Sequence, residues 1–74
     1  MSIEIELFGQ LISNKQRRQT WEMTKPMLIR DVANKLGLKE EEIGLITVNG
    51  VQSEPDESVH PGSRLCFFSH MSGG

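Results

Sequence analysis

Ile3, Ile5 and Leu7 alternate with Glu4 and Glu6, the two-residue period of a strand that buries one face and wets the other. Gly9 and the run Ser13-Asn14-Lys15 then supply turn chemistry. Residues 18–23 return to a β-like alternation in which Thr20 and Trp21 favour extended backbone. The two runs predict a hairpin. Between residues 26 and 38 the period changes: Leu28, Ile29, Val32 and Leu36 share one helical face, and Arg30, Asp31, Asn34 and Lys35 fall largely elsewhere. Pro26 suits a first helical turn entered from Thr24 or Lys25, and Gly37 stands where a left-handed cap would close the helix. One helix of about three turns is expected.

Residues 45–48 are apolar and β-branched enough for a third strand, and Asn49-Gly50 is a tight-turn dipeptide that sends Val51 back as a short fourth. His60-Pro61-Gly62-Ser63 places Pro and Gly at the two central positions of a type II turn. Residues 65–68 form a last strand apolar on both sides, which puts it inside the sheet. The order is β-β-α-β-(β)-β, an α+β layer of one helix on one face of a mixed four- to five-stranded sheet. A helix between the hairpin and the later strands lets the first and last strands lie side by side in parallel, the β-grasp arrangement. Residues 1–74 read as a single domain, with residues 69–74 as a flexible C-terminal tail.

Seventy-four residues give a core near the lower limit of what folds without staples. A net charge of -2 argues against a general nucleic-acid binder. The charges are uneven: residues 1–37 hold six Lys/Arg against four Asp/Glu, and residues 38–74 hold two against six. Those six acids, Glu40, Glu41, Glu42, Glu54, Asp56 and Glu57, read as a solvated surface or as an acidic face for a basic partner. A single cysteine, Cys66, excludes an intrachain disulfide framework and suits a reducing compartment. The opening residues lack the pattern of a signal peptide, and no apolar stretch approaches the ~18 residues of a membrane span. A soluble, cytoplasmic protein without membrane or nucleic-acid partners is expected.

The chain closes on Met71-Ser72-Gly73-Gly74. Two residues without side chains make a slim arm whose one chemical handle is the terminal carboxylate, able to enter a narrow enzyme channel. No phosphate-cradling glycine loop, paired-cysteine metal motif or Ser/His/Asp spacing stands out elsewhere. His60, Cys66 and His70 match no familiar metal spacing, so no metal site is expected. Cys66 reads as a small packed hydrophobe, and Trp21 and Phe67 as core or partial core. Phe68, on the face opposite Phe67, is a candidate for an apolar docking patch beside the tail.

The chain resembles the ubiquitin-like sulfur carriers, the small subunit of molybdopterin synthase and the thiamine-biosynthesis sulfur carrier. The likeness is carried by the helix segment Ile29-Arg30-Asp31-Val32-Ala33-Asn34-Lys35-Leu36-Gly37-Leu38, by Val48-Asn49-Gly50, by Pro61-Gly62-Ser63-Arg64-Leu65-Cys66-Phe67-Phe68, and above all by Met71-Ser72-Gly73-Gly74. Pro61 and Ser63 depart from the acids that flank the family's turn glycine, and Ser69-His70 stand where the molybdopterin type usually carries Pro-Pro.

The resemblance implies a carrier rather than an enzyme. An E1-like adenylating enzyme would use ATP and Mg to activate the Gly74 carboxylate. A sulfur donor such as a cysteine desulfurase or rhodanese system would then convert it to a thiocarboxylate. The sulfur would pass to molybdopterin with a large synthase subunit as partner, or to the thiamine thiazole with thiazole synthase. Gly73, Ser72, Met71, His70 and Phe68 would be the partner-binding residues, and the chain itself would bind no cofactor. Two other readings use the same fold: a modifier that forms isopeptide bonds through Gly74, and an interaction module without terminal chemistry.

Overall fold

Alternation along the first seven strand residues is realised as β1 (Ser2–Phe8), with Ile3, Ile5 and Leu7 completely buried. The computed structural model describes residues 1–12 and 16–70; the predicted turn run Ser13-Asn14-Lys15 and the terminal Met71-Ser72-Gly73-Gly74 lie outside them. A short 3-10 turn, Gly9–Ile12, follows β1, and β2 (Arg18–Glu22) returns antiparallel to it, pairing Ile3 with Trp21 and Glu6 with Arg18. Trp21 is partly buried against the core, as its place on the Ile3 face requires.

The helix is shorter than its apolar period suggests. Helix α1 spans Ile29–Leu36, about two turns. Met27–Leu28 forms instead a two-residue strand, β3, paired antiparallel with Ser58–Val59, which we label β6. Leu28 is therefore the helix N-cap residue, 37% exposed, and Pro26 precedes a strand rather than opening a helical turn. The reason lies far along the chain. The first helical amides, Ile29 N–H and Arg30 N–H, donate to the carbonyls of Glu57 and Pro55, so the loop that carries β6 both caps the helix and fixes where it starts. The C-terminus follows the sequence: Gly37 is left-handed at φ 80°, and the Gly37 and Leu38 amides reach back to Asn34 and Ala33.

After a 3-10 turn at Glu40–Glu42, strand β4 (Ile43–Val48) begins two residues before the run at 45–48. Asn49 and Gly50 both take positive φ, 52° and 85°, the turn that matches strand twist, and β5 (Val51–Gln52) pairs back onto β4. At the predicted type II turn, Ser63 N–H donates to the His60 carbonyl and Gly62 has φ 89°. Strand β7 (Arg64–Ser69) then enters the middle of the sheet, parallel to β1 and antiparallel to β4. The order β2-β1-β7-β4-β5 gives the mixed sheet with the first and last strands adjacent, the β-grasp arrangement. Strand β7 runs one residue into the segment read as tail, because Ser69 still pairs with Ile43.

One helix covers one sheet face. There Ile3, Ile5, Leu7, Ile29, Val32, Val59, Leu65 and Phe67 are all fully buried. Each such side chain stabilises the fold by roughly 1.5–3 kcal/mol relative to exposure. Among the described residues no helix covers the opposite face.

Candidate functional site

The end of β7 sets where the C-terminal residues leave the domain. Two glycines let the neighbouring chain segments close on that end. On the β1 side, Gly9 has φ 72°, and a Cβ there would overlap the Ser69 side chain; the Gln10 amide donates to Ser69 Oγ at 3.3 Å. On the β4 side, a Cβ on Gly44 would lie 2.8 Å from His70 Cα and 2.9 Å from the Ser69 carbonyl oxygen. Gly44 sits at the irregularity between Ile43 and Leu45, where β4 carries one residue more than β7. Ser69 and His70 thus pass through a slot that only glycine permits on either side, with His70 exposed beyond it.

Immediately before this slot, the face without the helix carries an aromatic pair. Phe8 and Phe68, register partners at the ends of two parallel strands, stack with ring centroids 4.7 Å apart and planes within 8°. Leu45, opposite Phe68 on β4, is 38% exposed, and the Arg17 guanidinium carbon stands 5.4 Å from the Phe8 ring centroid. Phe68 is half-buried and turned away from Phe67, as the alternation predicts. An apolar surface of Phe8, Phe68 and Leu45 therefore lies beside the exit of the tail.

Farther down the same face, Glu6 is buried at 4% exposure, although its place in the strand pattern assigns it to the wetted side. Three arginines explain the burial. Arg64 Nη2 donates to Glu6 Oε1 at 2.5 Å, Arg18 Nη2 donates to Oε2 at 3.3 Å, and Arg17 Nε stands 3.9 Å from Oε2. The hydrogen bond from Arg64 is the main cause holding the Glu6 carboxyl below its ordinary range; burial opposes it, and Arg18 assists. The same bond raises Arg64. This cluster ties β7 to β1 and β2 on the side the helix does not cover, steadying the strand that carries the tail. Its sequence signal was weak: Arg17-Arg18 and Arg64 reach Glu6 only once the register is known.

Cys66 is buried on this face, register partner of Glu6 and Thr47. His60, Cys66 and His70 do not come together, since His60 and His70 lie beyond opposite ends of β7, and among the described residues no group of three metal-ligating side chains occurs. No helix among the described residues is long and apolar enough to cross a membrane. Of the partner-binding candidates, Phe68 lies in the last strand and His70 directly after its end; Met71, Ser72, Gly73 and Gly74 lie outside the described residues.

The sheet order, the one α-helix among the described residues and a central last strand define a ubiquitin-like β-grasp domain. A model of the ThiS family matches residues 5–74, nearly the whole chain, and the protein belongs to that family. Among curated proteins, no relative matches in sequence. Solved structures share the fold at low identity. The crystal structure of SAMP1 from Haloferax volcanii is 20% identical over the full length of both chains, with a TM-score of 0.72. The solution structure of the Haloferax volcanii HVO 2177 protein is 17% identical, covering all of this chain and 87% of its own, with a TM-score of 0.72. A chain from the complex of subunits 1 and 2 of the molybdopterin-converting factor of Helicobacter pylori 26695 is 16% identical over both full lengths, with a TM-score of 0.63. The protein is thus a ThiS-family member with the ubiquitin-like β-grasp fold.

Proposed function

We propose that the protein is a sulfur carrier working through the Gly74 carboxylate, in molybdopterin cofactor biosynthesis. The observation that carries the sulfur-carrier part of this reading is the family match running to residue 74, onto a diglycine that follows the central strand by a few residues; the molybdopterin destination is supported by the likeness to the Helicobacter pylori molybdopterin-converting factor chain. A carboxylate is a poor electrophile at neutral pH, its ordinary pKa being about 3.3–3.7, so it must be activated first. An E1-like enzyme joins it to the α-phosphate of ATP with loss of pyrophosphate, using Mg. A sulfur nucleophile then attacks the acyl carbon and AMP leaves. Where the sulfur arrives as a persulfide, from a cysteine desulfurase or rhodanese system, a further thiol takes away the donor's sulfur as a disulfide, leaving the thiocarboxylate.

The division of labour fits the domain. The slot holds Ser69 and His70 beside the apolar surface, and in this reading a large synthase subunit supplies the acceptor site; the Helicobacter pylori factor is likewise a complex of two subunits. Glycines 73 and 74 keep the arm thin enough to reach it. Deleting Gly74 is expected to leave folding intact and abolish sulfur transfer; a truncated chain that still supports cofactor synthesis contradicts the reading.

The family name favours thiamine thiazole synthesis as the alternative destination, with thiazole synthase as partner. The likeness to SAMP1, a small archaeal modifier protein, favours a second use of the same activated carboxylate, an isopeptide bond to a target lysine. Adducts on partner proteins that survive reducing agent would mark that use.

A further inference from the structure

Strand β5 pairs only with Thr47 and Val48 of β4. One more bond, from Ser53 N–H to the Ile46 carbonyl, extends this edge before the chain turns to meet the helix through the Pro55 carbonyl. On the side away from β7, residues 43–45 therefore have no strand partner among the described residues. A cleft of about 210 Å³ opens there, floored by residues 43–46 and walled by Glu40 on one side and by residues 52–55 on the other. Ile43 N–H is held by the Glu40 carbonyl, so the free edge starts at Gly44; residues 44 and 45 at about 3.3 Å each give roughly 7 Å, room for a short added strand.

The charged side chains that line the cleft are of one sign. Glu40 and Glu54 line the cleft, Glu41 and Glu42 share the 3-10 turn with Glu40, and Asp56 follows Glu54. Glu57 is exposed as well and accepts the Glu54 amide. Of the nearby basic residues, Lys39 precedes Glu40 and Arg30 of the helix lines the adjoining pocket with Glu40 and Pro55, neither in the cleft itself, and Arg64 is engaged with Glu6. Free backbone edge, a cleft to hold side chains and an acidic border together specify an extended segment bearing lysine or arginine.

We infer that the cleft along the open edge of β4 docks an extended, basic segment of a partner protein as an added strand. Ile43 pairs with Ser69 across the other side of β4, so the added strand would lie two strand spacings, roughly 10 Å, from the strand that carries the tail. A partner gripping this edge would hold the tail at a fixed distance from its own active site. The inference goes beyond sulfur carriage and does not depend on the chemistry of Gly74.

The test titrates a short amidated peptide of alternating lysine and valine into the isotopically labelled full chain and follows backbone amide resonances. Saturable shifts are expected at residues 44–46 and Ser53, with Phe8 and Phe68 unmoved. Affinity should fall as salt is raised, and the double variant Glu40→Lys, Glu54→Lys should bind about tenfold or more weakly while keeping a folded spectrum. A chain lacking Gly74 should bind the peptide as tightly as the intact one, which separates this result from the fate of the sulfur-carrier reading. Absence of saturable shifts, shifts on the Phe8 and Phe68 face instead, or equal binding of a glutamate and valine peptide would overturn the inference. So would concentration-dependent shifts of the same amides without peptide, which would assign the edge to a second copy of the chain.

Discussion

Gly44 and His70 meet so closely that a methyl group on the glycine would stand 2.8 Å from the histidine Cα and 3.0 Å from its amide nitrogen. Both neighbouring atoms are backbone, so relief requires moving either β4 or the end of β7. Gly44→Ala is expected to destabilise the domain by roughly 1–3 kcal/mol, the usual cost of overpacking. Urea unfolding followed by Trp21 fluorescence measures it. Because the strain falls where the tail departs, the variant should also be loaded with sulfur more slowly than a Gly50→Ala variant, whose added Cβ meets nothing within 4 Å and whose backbone strain, from φ 85°, falls in the turn at the other end of β4.

Phe67 and Phe68 are adjacent and point to opposite faces, and their truncations should separate stability from partner binding. Phe67 is fully buried under the helix, so Phe67→Ala should cost about 3–5 kcal/mol. Phe68 is half-buried and stacked on Phe8. Phe68→Ala should cost on the order of 1 kcal/mol. Its larger effect should appear as weakened binding to the activating enzyme, measured by titration calorimetry, with the unfolding midpoint only modestly lowered.

Glu6 should make stability depend on pH in one direction. Its carboxyl is held below the ordinary value of 4.5 in the folded chain, first by the Arg64 hydrogen bond. The unfolded chain therefore binds the proton more readily, and the stability contributed by Glu6 is present above the unfolded value and lost as pH falls through the folded one. Wild type should exceed Glu6→Gln in urea midpoint near neutral pH, and the gap should close as the solution is acidified through the carboxylate range. A gap independent of pH would contradict the assignment of burial to the ionised pairing.

What could be read from the chain follows from how local each signal is. The alternation of Ile3, Ile5 and Leu7, the Asn49-Gly50 turn and the Gly37 cap are each decided within a few residues, and each appears where the pattern puts it. Helix α1 starts later than its apolar period suggests because Met27 and Leu28 answer to Ser58 and Val59, some thirty positions on. The burial of Glu6 needs arginines from the β2 side of the hairpin and from β7 together, and alternation alone places it in solvent. Gly44 is an isolated glycine in an apolar strand, a sign of a bulge or close approach that points to no particular neighbour. The tail motif was legible as a resemblance, and the fold adds the slot and the aromatic pair that precede it.

The central claim is that Gly74 carries sulfur. Intact-mass measurement of the purified chain, after incubation with ATP, Mg, an E1-like activating enzyme and a persulfide donor, tests it directly. The predicted result is a species in which one oxygen is replaced by sulfur, mapped to Gly74 by fragmentation and absent without ATP. An unchanged mass with every activating enzyme of this class, or a sulfur adduct mapped to Cys66 instead, would contradict the account.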